Sequence, residues 1–240
     1  ELQAGLRSAR AEIAPKYFYD ALGSTLFEAI TQLPEYYPTR TEREIFTEHG
    51  AAMAARIGAG AHLIDLGAGN CEKAGHLFPI LQPARYTAID VSAEFLQGAL
   101  EALRGAHPAI DMQALGMDFS TRLDLPAPQS GERRLFFYPG SSIGNFTPEA
   151  ALALLRDLRT HCHPAGGLLI GVDLVKGRAQ LEAAYDDALG VTAAFNLNAL
   201  NHINVLLGTD FHLPQWRHVA LFNTALSRIE MHLEAREELT

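Results

Sequence analysis

A doubly wound α/β fold, built on a parallel sheet, is the fold class this sequence predicts. Three observations predict it. The apolar run Leu63-Ile64 ends in Asp65 and turns through Gly67 and Gly69 into a helical stretch. A second short apolar run ends in Asp90, 23 residues after Gly67. Around these, strand-like and helix-like stretches alternate as far as about residue 173. Such a sheet places a nucleotide site at the carboxyl ends of its first strands. Glycines let the backbone approach the ligand, and an acid ending the second strand can hold both ribose hydroxyls.

The elements follow in order. Residues 1 to about 60 read as helical: Leu26, Phe27, Ile30 and Leu33 form one stripe, Pro34 and Pro38 bracket a bend, and a helix runs from about 39 to 57. Strands are expected at 62–66, 85–90, 110–116, 133–138 and 167–173, with helices at 70–82, 92–105 and 147–162. This rhythm implies right-handed parallel crossovers. Thr147-Pro148-Glu149 reads as an N-cap and first turn. After Asp173 the rhythm breaks: 178–207 is mostly helical, interrupted near Gly190. The strand-like runs 216–222 and 227–234 are either a closing hairpin of the main sheet or part of an inserted cap. Residues 129–132 read as a surface loop.

Composition narrows the function. The 240 residues, 48% hydrophobic and 20% charged, suffice for one large core, or a core with an insertion. With 28 acidic against 19 basic residues the net charge is −9, and no basic block occurs. Nucleic acid and anionic membrane are therefore not expected partners. No apolar run reaches the roughly 18 residues of a membrane span, and Glu1–Arg7 lacks a signal-peptide pattern. Two cysteines, Cys71 and Cys162, give no disulfide framework and suit a cytoplasmic setting. Cys71 reads as a packing residue. His161-Cys162-His163 precedes a helix stop, Pro164-Ala165-Gly166-Gly167, and no metal is expected there.

The glycine loop also discriminates among nucleotides. A dinucleotide fingerprint needs a third small residue, where this chain has Glu72. A carboxylate there repels a pyrophosphate, so a nicotinamide oxidoreductase is disfavoured. The loop is more like those that hold S-adenosylmethionine, whose sulfonium and amino-acid head replace phosphates. Asp118-Phe119 could bracket an adenine, or be a strand-ending acid beside a core ring. Gly140-Ser141-Ser142-Ile143-Gly144-Asn145 follows the fourth strand and faces the same crevice. Tyr36 and Tyr37 stand in the proline bend, where a ring face and a hydroxyl suit an amino-acid substrate. Asp173-Leu174-Val175-Lys176 and Tyr185-Asp186-Asp187 bring further polar groups, suited to a substrate amine.

Several of these stretches, with Pro15-Lys16-Tyr17-Phe18-Tyr19-Asp20, Leu33–Glu42, Gly190–Asn196 and Arg228-Ile229-Glu230-Met231, resemble the histidine-specific N-alpha-methyltransferases of ergothioneine biosynthesis. The resemblance spans nearly the whole chain. It implies a Rossmann-like class I methyltransferase fold with a parallel sheet, joined to a helical substrate domain made from the N-terminus and a C-terminal insertion. The implied divisions are 1–60, 61–176 and 177–240. It implies S-adenosylmethionine as cofactor, histidine as a small-molecule substrate, and trimethylhistidine as product. By position, Gly67, Gly69, Lys73, Asp90, Asp118 and Phe119 would hold the cofactor. Tyr36, Gly140, Asn145 and Tyr185 would bind substrate, Asn145 and Tyr185 at its carboxylate. Tyr19 and Phe27 would line the pocket at the transferred methyl.

Two differences from the family pattern are visible. The loop reads Asp65-Leu66-Gly67-Ala68-Gly69-Asn70-Cys71-Glu72-Lys73 where relatives read Glu-Leu-Gly-Ser-Gly-Thr-Ser-Glu-Lys, keeping the lysine and losing hydroxyls. The family's last sheet strands, with an acid and a serine for the imidazole, are expected to be missing from this chain. The alternatives are a methyltransferase of another small amine or amino acid, and a silent cofactor-binding module.

Overall fold

The computed structural model describes residues 1–238. In chain order the elements are α1 (Leu2–Leu6), α2 (Ala21–Thr31), α3 (Tyr37–Ile57), β1 (His62–Leu66), α4 (Glu72–Leu81), β2 (Arg85–Asp90), α5 (Ala93–Ala106), β3 (Asp111–Gly116), β4 (Arg134–Tyr138), α6 (Pro148–His161), β5 (Gly167–Ile170), α7 (Arg178–Tyr185), α8 (Val191–Leu207), β6 (Trp216–Asn223) and β7 (Arg228–Ala235). Two compact units result: Pro38–Asp173, and Glu1–Tyr37 with the chain from Leu174 onward.

The first of these is the sheet unit. Among the described residues its strand order is β3-β2-β1-β4-β5, every pairing parallel. The chain winds outward from β1 in one direction and from β4 in the other, so the order reverses between them. Alternation along each strand divides the core. Leu63 and Phe137 pack with Leu77, Phe78 and Leu81 of α4 and Leu96 and Leu100 of α5. Their neighbours Ile64 and Phe136 face the other way, onto Leu154 and Leu158 of α6. β1 is buried throughout, as a central parallel strand covered on both faces must be.

Element boundaries shift for local reasons. α4 begins at Glu72, two residues later than expected, because Cys71 adopts φ 59° and ends the loop left-handed. β5 stops at Ile170, short of the expected 173. There the Asp173 amide donates to the Ser141 hydroxyl (2.9 Å) and leaves the ladder. Pro38, expected to close the bend, lies inside the first turn of α3, where its missing N–H has no helical partner to lose. Thr147 caps α6 as expected, its hydroxyl accepting from the Ala150 amide (3.2 Å).

Residues 129–132 are not only a surface loop. The Glu132 carboxylate accepts from His62 Nδ1 and pairs with Arg134 at 3.4 Å. The other His62 nitrogen meets the Thr87 hydroxyl (2.7 Å). Burial alone would raise the Glu132 carboxyl, but His62, the Gln129 amide and Arg134 hold it at about 2. Burial lowers the His62 imidazole from its ordinary value, against the Glu132 hydrogen bond and charge, which raise it.

The other unit is mainly helical. Asp20 caps α2 through the Gly23 amide (2.7 Å) and also accepts from Asn198 of α8 (2.8 Å). The interruption expected near Gly190 separates α7 from α8; Gly190 has φ +76°, and Asp187 caps α8 through the Val191 and Thr192 amides. β6 and β7 form their own antiparallel pair and not an extension of the main sheet. Phe222, Ile229 and Met231 of this hairpin pack against the cluster of Leu181 and Phe195. Among the described residues no helix is long and apolar enough to cross a membrane.

Candidate active site

The loop after β1 turns where the strand order reverses. Gly67 (φ +72°) and Gly69 (φ +52°) adopt conformations that side chains resist. The Gly67 and Ala68 amides both donate to the Ile89 carbonyl, at 2.9 and 3.0 Å. This holds the loop beside the end of β2. Asp90 completes the attachment: one carboxylate oxygen accepts from the Gly69 amide (3.0 Å), the other from the Ser92 amide (3.1 Å). A carboxylate has about four acceptor positions. Two therefore remain for hydroxyl donors, as a ribose diol requires.

Phe119 lies over the loop, its ring 3.9 Å from where a Cβ on Gly67 would sit, and meets Tyr138 edge-on at 5.8 Å. Asp118 lies two residues beyond β3 and accepts from the Ser120 amide (3.0 Å), a local turn contact that supports the loop.

Asp65 is the unusual group. It is the penultimate residue of β1, with 2% exposure. Tyr86 donates to one of its oxygens (2.8 Å), while the other is buried with no partner among the described residues. Burial pushes its carboxyl up to about 7; Tyr86 and Lys73 oppose the rise, and Asp90 and Glu42 add to it. Burial likewise pushes the Cys71 thiol up to about 12, which fits the packing role expected of it.

Lys73 stands in the first turn of α4 and pairs with Glu42 of α3 at 2.6 Å. The other Glu42 oxygen accepts from the Gly140 amide (2.7 Å). Glu42 was not singled out from the sequence; it entered only as the last residue of the stretch Leu33–Glu42 that carries the resemblance. Gly140 has φ +73°, and the turn continues left-handed through Ser141 at φ 57°. Asn145 is exposed and ends the 3-10 turn Ser142–Asn145.

The helical unit gathers a second group. Tyr19 meets Phe27 edge-on (5.6 Å), Phe27 meets Tyr36 (6.3 Å), and Tyr36 meets Tyr185 (5.9 Å). Phe195 of α8 joins both Tyr19 and Phe27, and was given no site role from the sequence. Tyr185 is held by its backbone: His218 Nε2 donates to its carbonyl (2.8 Å), and Asn196 donates to the other ring nitrogen (2.8 Å).

Thus Gly67, Gly69, Lys73, Asp90, Phe119 and Gly140 converge in the sheet unit, and Tyr19, Phe27, Tyr36 and Tyr185 in the helical unit. The sheet-unit group fits S-adenosylmethionine: a glycine cradle open to close approach, an acid with acceptors to spare, and carboxylates suited to a cationic ligand.

The comparisons agree. A protein from Mycolicibacterium smegmatis named histidine N-alpha-methyltransferase is 44% identical over 240 residues, covering 98% of this chain and 74% of the relative. One of that name from Mycobacterium tuberculosis is 41% identical over the same shares. The solved structure of the plantazolicin methyltransferase BpumL, in complex with S-adenosylhomocysteine, shares the fold at a TM-score of 0.50 and 14% identity, covering 81% of this chain and 73% of that one. The family described as histidine-specific methyltransferase, SAM-dependent, matches residues 1–240, and the chain belongs to it.

Proposed function

We propose that the protein transfers methyl groups from S-adenosylmethionine to the alpha-amino nitrogen of L-histidine, giving trimethylhistidine. The family match over residues 1–240 supports the substrate. For the cofactor, the observation that carries the reading is Asp90, tied to the Gly69 amide while keeping acceptors for a ribose. Gly67, Gly69, Lys73, Asp90, Asp118 and Phe119 are the proposed cofactor residues. Tyr36, Gly140, Asn145 and Tyr185 are proposed for the substrate, with Tyr19 and Phe27 beside the reacting amine. The cofactor residues fall within the division 61–176, and the aromatic group within 1–60 and 177–240.

When bound, the cofactor supplies an electrophilic methyl on a sulfonium. The protein's residues must then deliver a neutral amine in line with it. The rings of Tyr19, Phe27 and Tyr36 exclude water, which favours the uncharged amine. Their faces also tolerate the cation that grows with each methylation. Alignment of nitrogen, methyl and sulfur supplies most of the rate. We place the enzyme in the cytoplasm, on the strength of its unpaired cysteines Cys71 and Cys162.

The test is mass spectrometry of histidine incubated with the protein and S-adenosylmethionine. One, two and three added methyl masses are expected, with fragmentation placing all of them on the amino nitrogen. Methylation on the imidazole, or none on histidine while another amine is methylated, overturns the substrate reading.

A further inference from the structure

Glu42 occupies a seat made of glycines. A Cβ on Gly171 would strike its carboxylate, and a Cβ on Gly140 would stand 2.9 Å from Lys73 Nζ. Its side chain is 12% exposed and that of Lys73 34%. One oxygen is anchored on the Gly140 amide (2.7 Å), and the other accepts from Lys73 (2.6 Å). A half-buried ion pair adds little net stability, because desolvation offsets attraction. This pair nevertheless lies at the carboxyl ends of β1 and β4, close enough for both charges to act on Asp65.

We propose that Glu42 and Lys73 together read the amino-acid head of the cofactor: Lys73 takes its carboxylate and Glu42 its ammonium. The proposal rests on the cofactor reading above. A zwitterionic head replaces the existing pair charge for charge. Each side chain exchanges one counter-ion for another, and no buried charge is stranded. The Gly140 amide keeps the Glu42 carboxylate in place while its second oxygen changes partner. A nucleoside without the amino-acid head leaves the ion pair closed and gains nothing from it.

Calorimetry without turnover tests this, using S-adenosylhomocysteine, its deaminated analogue and 5′-methylthioadenosine. E42Q retains an acceptor for the Gly140 amide and removes the charge. It should weaken S-adenosylhomocysteine at least about tenfold, the scale of one charge-assisted hydrogen bond. It should leave the deaminated analogue and the nucleoside within about twofold, so the loss belongs to the ammonium. The native protein alone should prefer S-adenosylhomocysteine over its deaminated analogue at least about tenfold, which keeps the test independent of how the variant folds. Equal weakening of all three ligands in E42Q, or no native preference for the ammonium, overturns the proposal. If the native protein binds none of the three, the cofactor reading itself fails, and this assignment with it.

Discussion

Replacing Asp65 with asparagine should stabilise the cofactor-free protein at alkaline pH and do much less in acid. The Asp65 carboxyl is pushed from 3.8 to about 7, chiefly by burial. Each tenfold in proton affinity is worth about 1.4 kcal/mol, so ionising this group in the folded state costs about 4 kcal/mol. The sign follows from proton counting. Between those two values the folded protein holds the proton and the unfolded chain has released it. Stability therefore falls as pH rises through the window. At about pH 4.5 roughly 1 kcal/mol of the penalty is already present, and at about pH 8 all of it is.

D65N keeps an acceptor for the Tyr86 hydroxyl and removes the ionisation. Its amide N–H groups meet no partner at the orphaned oxygen's position, which costs about 1–3 kcal/mol independent of pH. That constant cancels in a comparison between two pH values, as does every other carboxyl that titrates alike in both proteins. Urea unfolding of both proteins at about pH 4.5 and pH 8 should show the difference moving by about 3 kcal/mol in the variant's favour. A stability difference that is the same at both pH values would refute the reasoning.

Other outcomes follow from the same geometry. D90A removes the acceptor for two ribose hydroxyls and should weaken S-adenosylmethionine about a hundredfold or more; unchanged affinity by calorimetry would sink the Asp90 assignment. Glu132 titrates at about 2 when folded against 4.5 in the open chain, so its stabilisation is present above 4.5 and lost as pH falls toward 2. E132Q should therefore be less stable at neutral pH and lose that acid slope, read from circular dichroism during acid titration. The Cys71 thiol, buried and raised to about 12, should not react with a disulfide reagent at pH 8 until the protein unfolds; prompt labelling of Cys71 located by peptide mapping would contradict its packing role.

What the sequence made legible was local. The glycine turn, the acid at the end of β2 and the alternation of strand and helix all follow from spacings within a few dozen residues. The Thr147 cap and the break at Gly190 are local as well. The Glu42 seat was not legible, because its bonds reach 31 residues to Lys73 and 98 to Gly140. No spacing announces such a contact. Glu132 was misread for the same reason: its partner His62 lies 70 residues away, and the polar stretch around it looks like loop. Tyr36 in the proline bend and Tyr185 beyond the fifth strand were each legible as candidate substrate groups, but their 5.9 Å ring contact joins distant stretches that no period in the chain links. The turn at Asp118 could have been read, since an acid two residues before a serine commonly bonds that residue's amide.

Asp65 raises a harder question: why a strand end keeps an acid that weakens the fold. The unfavourable state is the ionised one: burial is the largest cause, Tyr86 and Lys73 oppose it, and the nearby carboxylates of Asp90 and Glu42 add a charge imbalance. A ligand bearing net positive charge relieves that imbalance, whereas a phosphate would deepen it. Cofactor binding should then favour the ionised Asp65 and lower its proton affinity, so binding near pH 7 releases part of a proton and tightens as pH rises across the window. Calorimetry in buffers of different ionisation enthalpy measures the release directly. S-adenosylmethionine should displace more protons than S-adenosylhomocysteine, which lacks the sulfonium charge, and D65N should abolish the difference. A binding enthalpy independent of buffer for both ligands would show that Asp65 does not sense the cofactor, and that its burial serves the fold of the loop alone.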